Sequence, residues 1–161
     1  MKLRALEQRD APLMLEWMHD ESVVSHLGTN FMEKTIEDCR RFIDWANSTD
    51  TDLHLAVADE QDEYMGTVSL KHIHDGTAEF AITVRACAMG KGYSKFGMAA
   101  ILEKGKQELG LSHIYWCVSE KNARAVRFYD KNSYQRTTDV PKSITDAYTP
   151  EQQKDFIWYV Y

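Results

Sequence analysis

The chain has 161 residues, of which 43% are hydrophobic and 27% charged, with a net charge of −6. This length suits one domain built on one core, the composition is that of an ordinary globular fold, and no apolar run approaches the roughly 18–20 residues that span a bilayer, so neither a disordered chain nor a membrane protein is expected. Three cysteines (Cys39, Cys87 and Cys117) with no Cys-x-x-Cys spacing argue against a disulfide framework or a cysteine zinc site. With no apolar h-region in the opening MKLRALEQRD, they point to a reducing cytoplasm.

Residues 2–6 (KLRAL) alternate and predict a short strand. Asp10 then reads as an N-cap, with Pro12 in the first turn and Leu13, Met14, Trp17 and Met18 at helical spacing. Thr35 is expected to cap a second helix carrying Cys39, Phe42, Ile43 and Trp45, and 46–52 is a loop. Alternation of Leu53, Leu55 and Val57 predicts a strand over 52–59, and 63–73 predicts another. In the latter, Met65, Thr67 and Ser69 face one way and Gly66, Val68 and Leu70 the other. Asp75-Gly76 signals a type I′ hairpin returning into a strand over 77–84. A helix over 93–109 is expected, with Phe96, Ala99, Ala100, Leu102 and Leu109 among its apolar positions and Gly110 ending it. A β-branched and aromatic strand follows at 113–119, then a helix over 122–132 capped by Asn122. A loop around Pro141 and Pro150 leads to a last strand at 155–161, expected as an apolar edge open to a second subunit. The order β-α-α-β-β-β-α-β-α-β predicts a mixed α/β fold in one domain over 1–161, with helices packed on one sheet.

The stretch MGKGYSKFGMAA, 89–100, places two glycines beside a lysine just before a helix. A Walker loop is excluded, because Met98 and Ala99 stand where Lys and Ser/Thr are required after Gly92 and Gly97. A dinucleotide loop is excluded too, since Lys95 occupies the third glycine position after Gly90 and Gly92. What survives is strand, glycine loop, helix. There the free N–H groups and the macrodipole favour an anion, glycines permit close approach, and Lys91 and Lys95 add charge.

Taken together with the segment GLSHIYWCVSEKNARAVRFYDK, this loop resembles the core of the GNAT acyltransferases. The family loop Gln/Arg-x-x-Gly-x-Gly/Ala falls on Met89, Gly90, Lys91, Gly92, Tyr93 and Ser94. The family pattern Asn-x-x-Ala-x-x-x-Tyr, followed by Gly-Phe, falls on Asn122, Ala125, Tyr129 and Ser133-Tyr134. The chain looks most like the ribosomal-protein N-terminal and polyamine acetyltransferase branches. Met89, Ser94 and Ser133 depart from the pattern, and the first of these removes a polar side chain from the loop.

The resemblance implies acetyl transfer from acetyl-CoA to an amine on a mostly antiparallel sheet flanked by helices. It places the diphosphate on the loop Met89–Lys95 and the pantetheine arm on Ile82, Thr83 and Val84, one of whose N–H groups would stabilise the oxyanion. Glu79 is the candidate base and Tyr129 the candidate acid; Asn122 is a cap, a pantetheine contact, or both. His72-x-His74, with His54 nearby, has metal-compatible spacing but lacks a third signalled ligand, so no metal is expected. Cys117 reads as packing, not as a nucleophile. Residues 1–64 carry 15 acidic and 6 basic side chains, net −9, against a net +3 for 65–161. That acidic half, with Asp20, Glu21 and Glu33 near the loop 25–32, disfavours nucleic acid and suits a cationic acceptor. The acceptor expected is a small-molecule or peptide amine, handled by a monomer or homodimer. A CoA-binding module without turnover, and a sugar or sugar-nucleotide acetyltransferase, are the alternatives.

Overall fold

The computed structural model describes residues 1–161. In chain order the elements are β1 (Lys2–Ala5), α1 (Ala11–Met18), α2 (Glu21–Val24), α3 (Ile36–Ala46), β2 (Leu53–Ala58), β3 (Tyr64–His74), β4 (Thr77–Val84), α4 (Tyr93–Gln107), β5 (His113–Ser119), α5 (Ala123–Lys131), β6 (Gln135–Thr137), α6 (Lys142–Thr145), α7 (Pro150–Gln153) and β7 (Phe156–Val160). The strands form one sheet in the order β1-β2-β3-β4-β5-β7-β6. Every neighbouring pair runs antiparallel except β4 and β5.

Strand alternation sends side chains to two layers. On one face Val57, Val68, Leu70, Phe80, Ile114 and Trp116 pack against Met98, Ile101 and Leu102 of α4. On the other, Ala56 and Tyr64 pack against Met14, Trp17, Cys39 and Ile43 of α1 and α3. The buried stripe of α4 is Gly97, Met98, Ile101, Leu102 and Gly105. Of the other apolar positions, Ala99 is exposed because the helical repeat through Met98 and Ile101 turns it outward, and Leu109 is exposed because α4 ends at Gln107, before reaching it.

Local signals account for most element ends. Thr35 caps α3 reciprocally: its Oγ1 accepts from the Asp38 N–H (3.2 Å) while Asp38 Oδ2 accepts from the Thr35 N–H (2.9 Å). Asp75 and Gly76 both have positive φ (48° and 76°), as a type I′ turn requires. Asp10 directly precedes α1 but does not cap it. Its buried carboxylate takes two hydrogen bonds of 2.8 Å from Arg4 and one of 2.9 Å from the Glu7 N–H.

Two expectations about the strands are corrected. The last strand is not an edge: β7 lies between β5 and β6, covered by a three-residue strand, Gln135–Thr137, too short and too polar to show alternation. The outer strands are β1 and β6, so an apolar β7 edge gives no basis for dimerisation. The His72-x-His74 spacing, which on a regular strand would put both imidazoles on one face, does not do so. The β3–β4 register shifts between Lys71 and His74, and His72 takes φ 54°, a bulge that breaks the period of two.

Gly66 faces Val84 across the β3–β4 ladder, and a Cβ there would stand 2.5 Å from the Thr83 carbonyl oxygen and 2.9 Å from Val84 Cα. Because backbone cannot yield as a side-chain tip can, Gly66→Ala is expected to cost roughly 1–3 kcal/mol. Urea unfolding checks this through a lower midpoint at unchanged m-value; an unchanged midpoint would contradict it.

Candidate active site

The site begins where two strands part. β4 and β5 pair only through Thr77–His113, Ala78–Ile114 and Glu79–Tyr115. Beyond that rung β4 stays with β3, as far as Gly66–Val84, while β5 stays with β7, from Tyr115–Val160 to Ser119–Phe156. The edges of Ile82, Thr83 and Val84 on the β5 side therefore have no strand partner, and an extended ligand bearing amides could fill the gap as a strand would.

At the mouth of this fork lies the glycine loop. Gly90 and Gly92 have φ of 75° and 90°, and α4 starts at Tyr93. The N–H groups of Gly90, Gly92, Tyr93, Ser94 and Lys95 make no backbone hydrogen bond, and no side chain caps the helix. A Cβ at Gly90 would meet nothing within 4 Å, and one at Gly92 only the Met1 Cε at 3.7 Å. Unpaired donors, the positive end of a 15-residue helix and exposed Lys91 and Lys95 make a fit for a diphosphate. From the far side of the fork, Arg124 Nη1 reaches to 3.4 Å from Met89 Sδ. Asn122 caps α5, its side chain accepting from the Ala125 N–H at 3.3 Å.

Glu79 occupies the last paired rung and is 1% exposed, not a solvated strand residue. Tyr148 donates to its Oε2 at 2.7 Å. Lys71 Nζ lies 3.1 Å from Oε1, but outside hydrogen-bond geometry, which leaves Oε1 buried without a hydrogen bond. His72 Nε2 stands 4.0 Å from the same oxygen. The half-buried Cys117 shares this compartment: burial first, then the charge of Glu79, pushes its thiol up to about 12. Tyr129 packs its ring against Tyr159 and Trp116 (centroids 5.0 and 5.6 Å apart). Burial, followed by the neighbouring Cys117, raises its phenol well above the usual range, so it stays protonated at neutral pH. Burial acts likewise on Tyr148.

The structure thus gathers Glu79, Tyr129 and Cys117 at the apex of the fork and Met89–Lys95 at its mouth. Tyr148 and Lys71 are additions. Tyr148 lies in a loop without periodicity, so nothing local marked it. Lys71 is opposite Glu79 because of the bulge; a regular two-residue hairpin would have placed His72 there. His54 is held elsewhere, its Nδ1 2.7 Å from Ser69 Oγ and its Nε2 3.2 Å from Asp52 Oδ2. No three His, Cys, Asp or Glu side chains are grouped to hold a metal. A groove of about 380 Å³ runs along the loop after α2, lined by Glu21, Val24, Leu27, Thr29, Phe31 and Met32. A side chain at Gly28 would approach Gln152 to 3.8 Å, so this loop faces the Tyr148 segment. A second groove of about 560 Å³, beside Lys106 and Tyr161, lies at the opposite end of α4.

Comparison with known proteins now identifies the class. The family model for the acetyltransferase (GNAT) domain matches residues 1–135, so the chain belongs to the GNAT acetyltransferases. It is an N-acetyltransferase that uses acetyl-CoA and acylates an amine. Among solved structures, a spermidine N-acetyltransferase from Vibrio cholerae in complex with CoA and spermine superimposes with a TM-score of 0.81 at 20% identity, over 99% of this chain and 94% of that one. A GNAT-family acetyltransferase from Bacillus anthracis gives 0.74 at 20% identity, over 99% and 91%. No curated protein sequence matches the chain. No helix is long and apolar enough to cross a membrane.

The cysteines yield a direct check. Cys87 is exposed, Cys39 is buried, and burial raises the thiols of both Cys39 and Cys117. Since thiolate is the reactive form, iodoacetamide at pH 8 is expected to alkylate Cys87 and spare the other two until the fold is unfolded. Mass spectrometry reads the outcome, and prompt labelling of Cys117 in the folded protein would contradict it.

Proposed function

We propose that this enzyme acetylates a primary amine of an aliphatic polyamine, working as one catalytic domain over 1–161 in the cytoplasm, as a monomer or homodimer and without a metal. The observation that carries the reading is Glu79: a buried carboxylate, one oxygen short of a hydrogen bond, on the last rung before the sheet opens. A buried acceptor of that kind suits an ammonium donor. The net −9 of residues 1–64, and Glu21 at the edge of the groove after α2, support a polycationic acceptor. So does the fold shared with an enzyme crystallised with spermine.

Acetyl-CoA supplies the thioester. In this reading the N–H groups of Gly90 and Gly92–Lys95 hold its diphosphate, Ile82–Val84 pair with the pantetheine arm, and Asn122 adds a contact from the cap of α5. Glu79 takes a proton from the ammonium, which frees the lone pair that forms the new C–N bond. As the C–S bond breaks, Tyr129 gives its proton to the departing sulfur, and the second proton lost by the nitrogen as the amide forms restores the phenol. A main-chain N–H of the β4 edge stabilises the oxygen as charge develops on it. Tyr148 fixes the Glu79 carboxylate through Oε2, and the acceptor approaches Oε1, where it meets the Lys71 ammonium 3.1 Å away.

A panel of polyamines, peptide N-termini and amino sugars, followed by mass spectrometry of the products, tests the acceptor class. Acetylated spermidine or spermine is the expected product, and acetylation confined to peptides or sugars would overturn the assignment. Tyr129→Phe is expected to lower kcat roughly 10²–10⁴-fold while acetyl-CoA still binds. Glu79→Gln should leave a comparable deficit, smaller at high pH where free amine accumulates. For the polyamine, KM should rise with ionic strength; a salt-independent KM would remove the steering argument.

A further inference from the structure

Of the eight arginines, Arg4, Arg9, Arg40, Arg41, Arg85 and Arg136 each hold a carboxylate. Arg127 and Arg124, both on α5, hold none, and Arg124 is the one that reaches the glycine loop. Its one hydrogen bond goes to the thioether of Met89 at 3.4 Å, among the weakest acceptors a protein offers. Its position in the helix is also unfavourable. Asn122 caps α5, so Arg124 is the second helical residue and sits at the positive end of the dipole. A cation in the wrong turn, resting on an apolar sulfur, is a local conflict of the sort that functional sites carry.

The geometry of the fork gives the conflict a purpose. The contact with Met89 lays the guanidinium, carried by the β5 half of the sheet, against a loop that belongs to the β4 half. That loop presents five main-chain N–H groups without partners, and Lys91 and Lys95 beside it are absent from the lysine–carboxylate pairs of the chain, which are made by Lys2, Lys71, Lys104, Lys121 and Lys154. In a chain of net charge −6, three cations without counterions gather where an anion would lie. Met89 gives the long aliphatic stem of Arg124 a surface to rest on and has no charge to compete for the head group.

We infer that Arg124 is an anion-binding residue of the acetyl-CoA site, reaching across the fork from α5 to hold a diphosphate oxygen and doing from the next helix what the side chain at position 89 cannot. The inference rests on the loop reading proposed above, and its test separates the two.

Calorimetry of the folded enzyme with acetyl-CoA and with S-acetylpantetheine, which lacks the diphosphate, reads both. Arg124→Gln is expected to weaken acetyl-CoA about tenfold, the loss of one charged hydrogen bond, and to make the affinity less sensitive to salt. Binding of S-acetylpantetheine should be unchanged. Adding Met89→Arg to Arg124→Gln should restore most of the lost affinity, since a guanidinium then rises from the loop itself. Unchanged acetyl-CoA affinity in Arg124→Gln overturns the inference and leaves the loop reading standing. An equal loss for S-acetylpantetheine also overturns it, because the residue would then act through the packing of α5. Should the wild-type enzyme bind acetyl-CoA no better than S-acetylpantetheine, the diphosphate site itself is lost and the inference with it.

Discussion

The parting of β4 from β5 after the Glu79–Tyr115 rung is the constraint on which the molecule's chemistry depends. Two strands that begin as a parallel pair are drawn to opposite sides by stronger ladders: β4 by the long antiparallel pairing with β3, β5 by β7. Gly66 lets the end of β4 lie tight on β3, since any side chain there would strike the Thr83–Val84 backbone. Arg85, just past the strand, is buried and bound to Glu16 of α1 and to Glu63 at the start of β3. These contacts fix the diverging strand end, so the gap is built in and its unpaired edge costs no reorganisation when a ligand fills it.

Electrostatics divides along the same line. At the mouth of the fork, helix dipole, free amides and cations favour an anion. At its apex, Glu79 lies among Lys71, Tyr148 and Cys117, and the surface beyond belongs to the acidic half of the chain. A ligand with a charged phosphate end and a neutral thioester end is oriented by that gradient. In the proposed reading a cationic acceptor is drawn from the other side. Tyr129, packed on Trp116 and Tyr159, keeps its phenol protonated through burial.

Much of this was legible in the sequence where the determinant is local. Asp75-Gly76 specified its turn through two positive φ values, Thr35 its cap through a reciprocal bond, and the spacing of Gly90, Gly92, Asn122 and Tyr129 the two sides of the fork. What escaped depends on register and long-range packing. One extra residue in β3 puts Lys71, not His72, against Glu79. Tyr148 reaches the same carboxylate from a segment with no periodicity, across 69 positions of sequence. The strand Gln135–Thr137 exists because β7 offers it an edge, not because its residues favour extension. Asp10, at an N-cap position, was claimed instead by Arg4.

The account turns on main-chain donors at the start of α4 receiving the cosubstrate, and ¹⁵N-resolved NMR titration with acetyl-CoA observes those donors directly. Saturable shifts at Gly90 and at Gly92 through Lys95, with a second set along Ile82–Val84, are the predicted result. Shifts confined to the far groove around Lys106 and Tyr161, or none at all at saturating ligand, would contradict it.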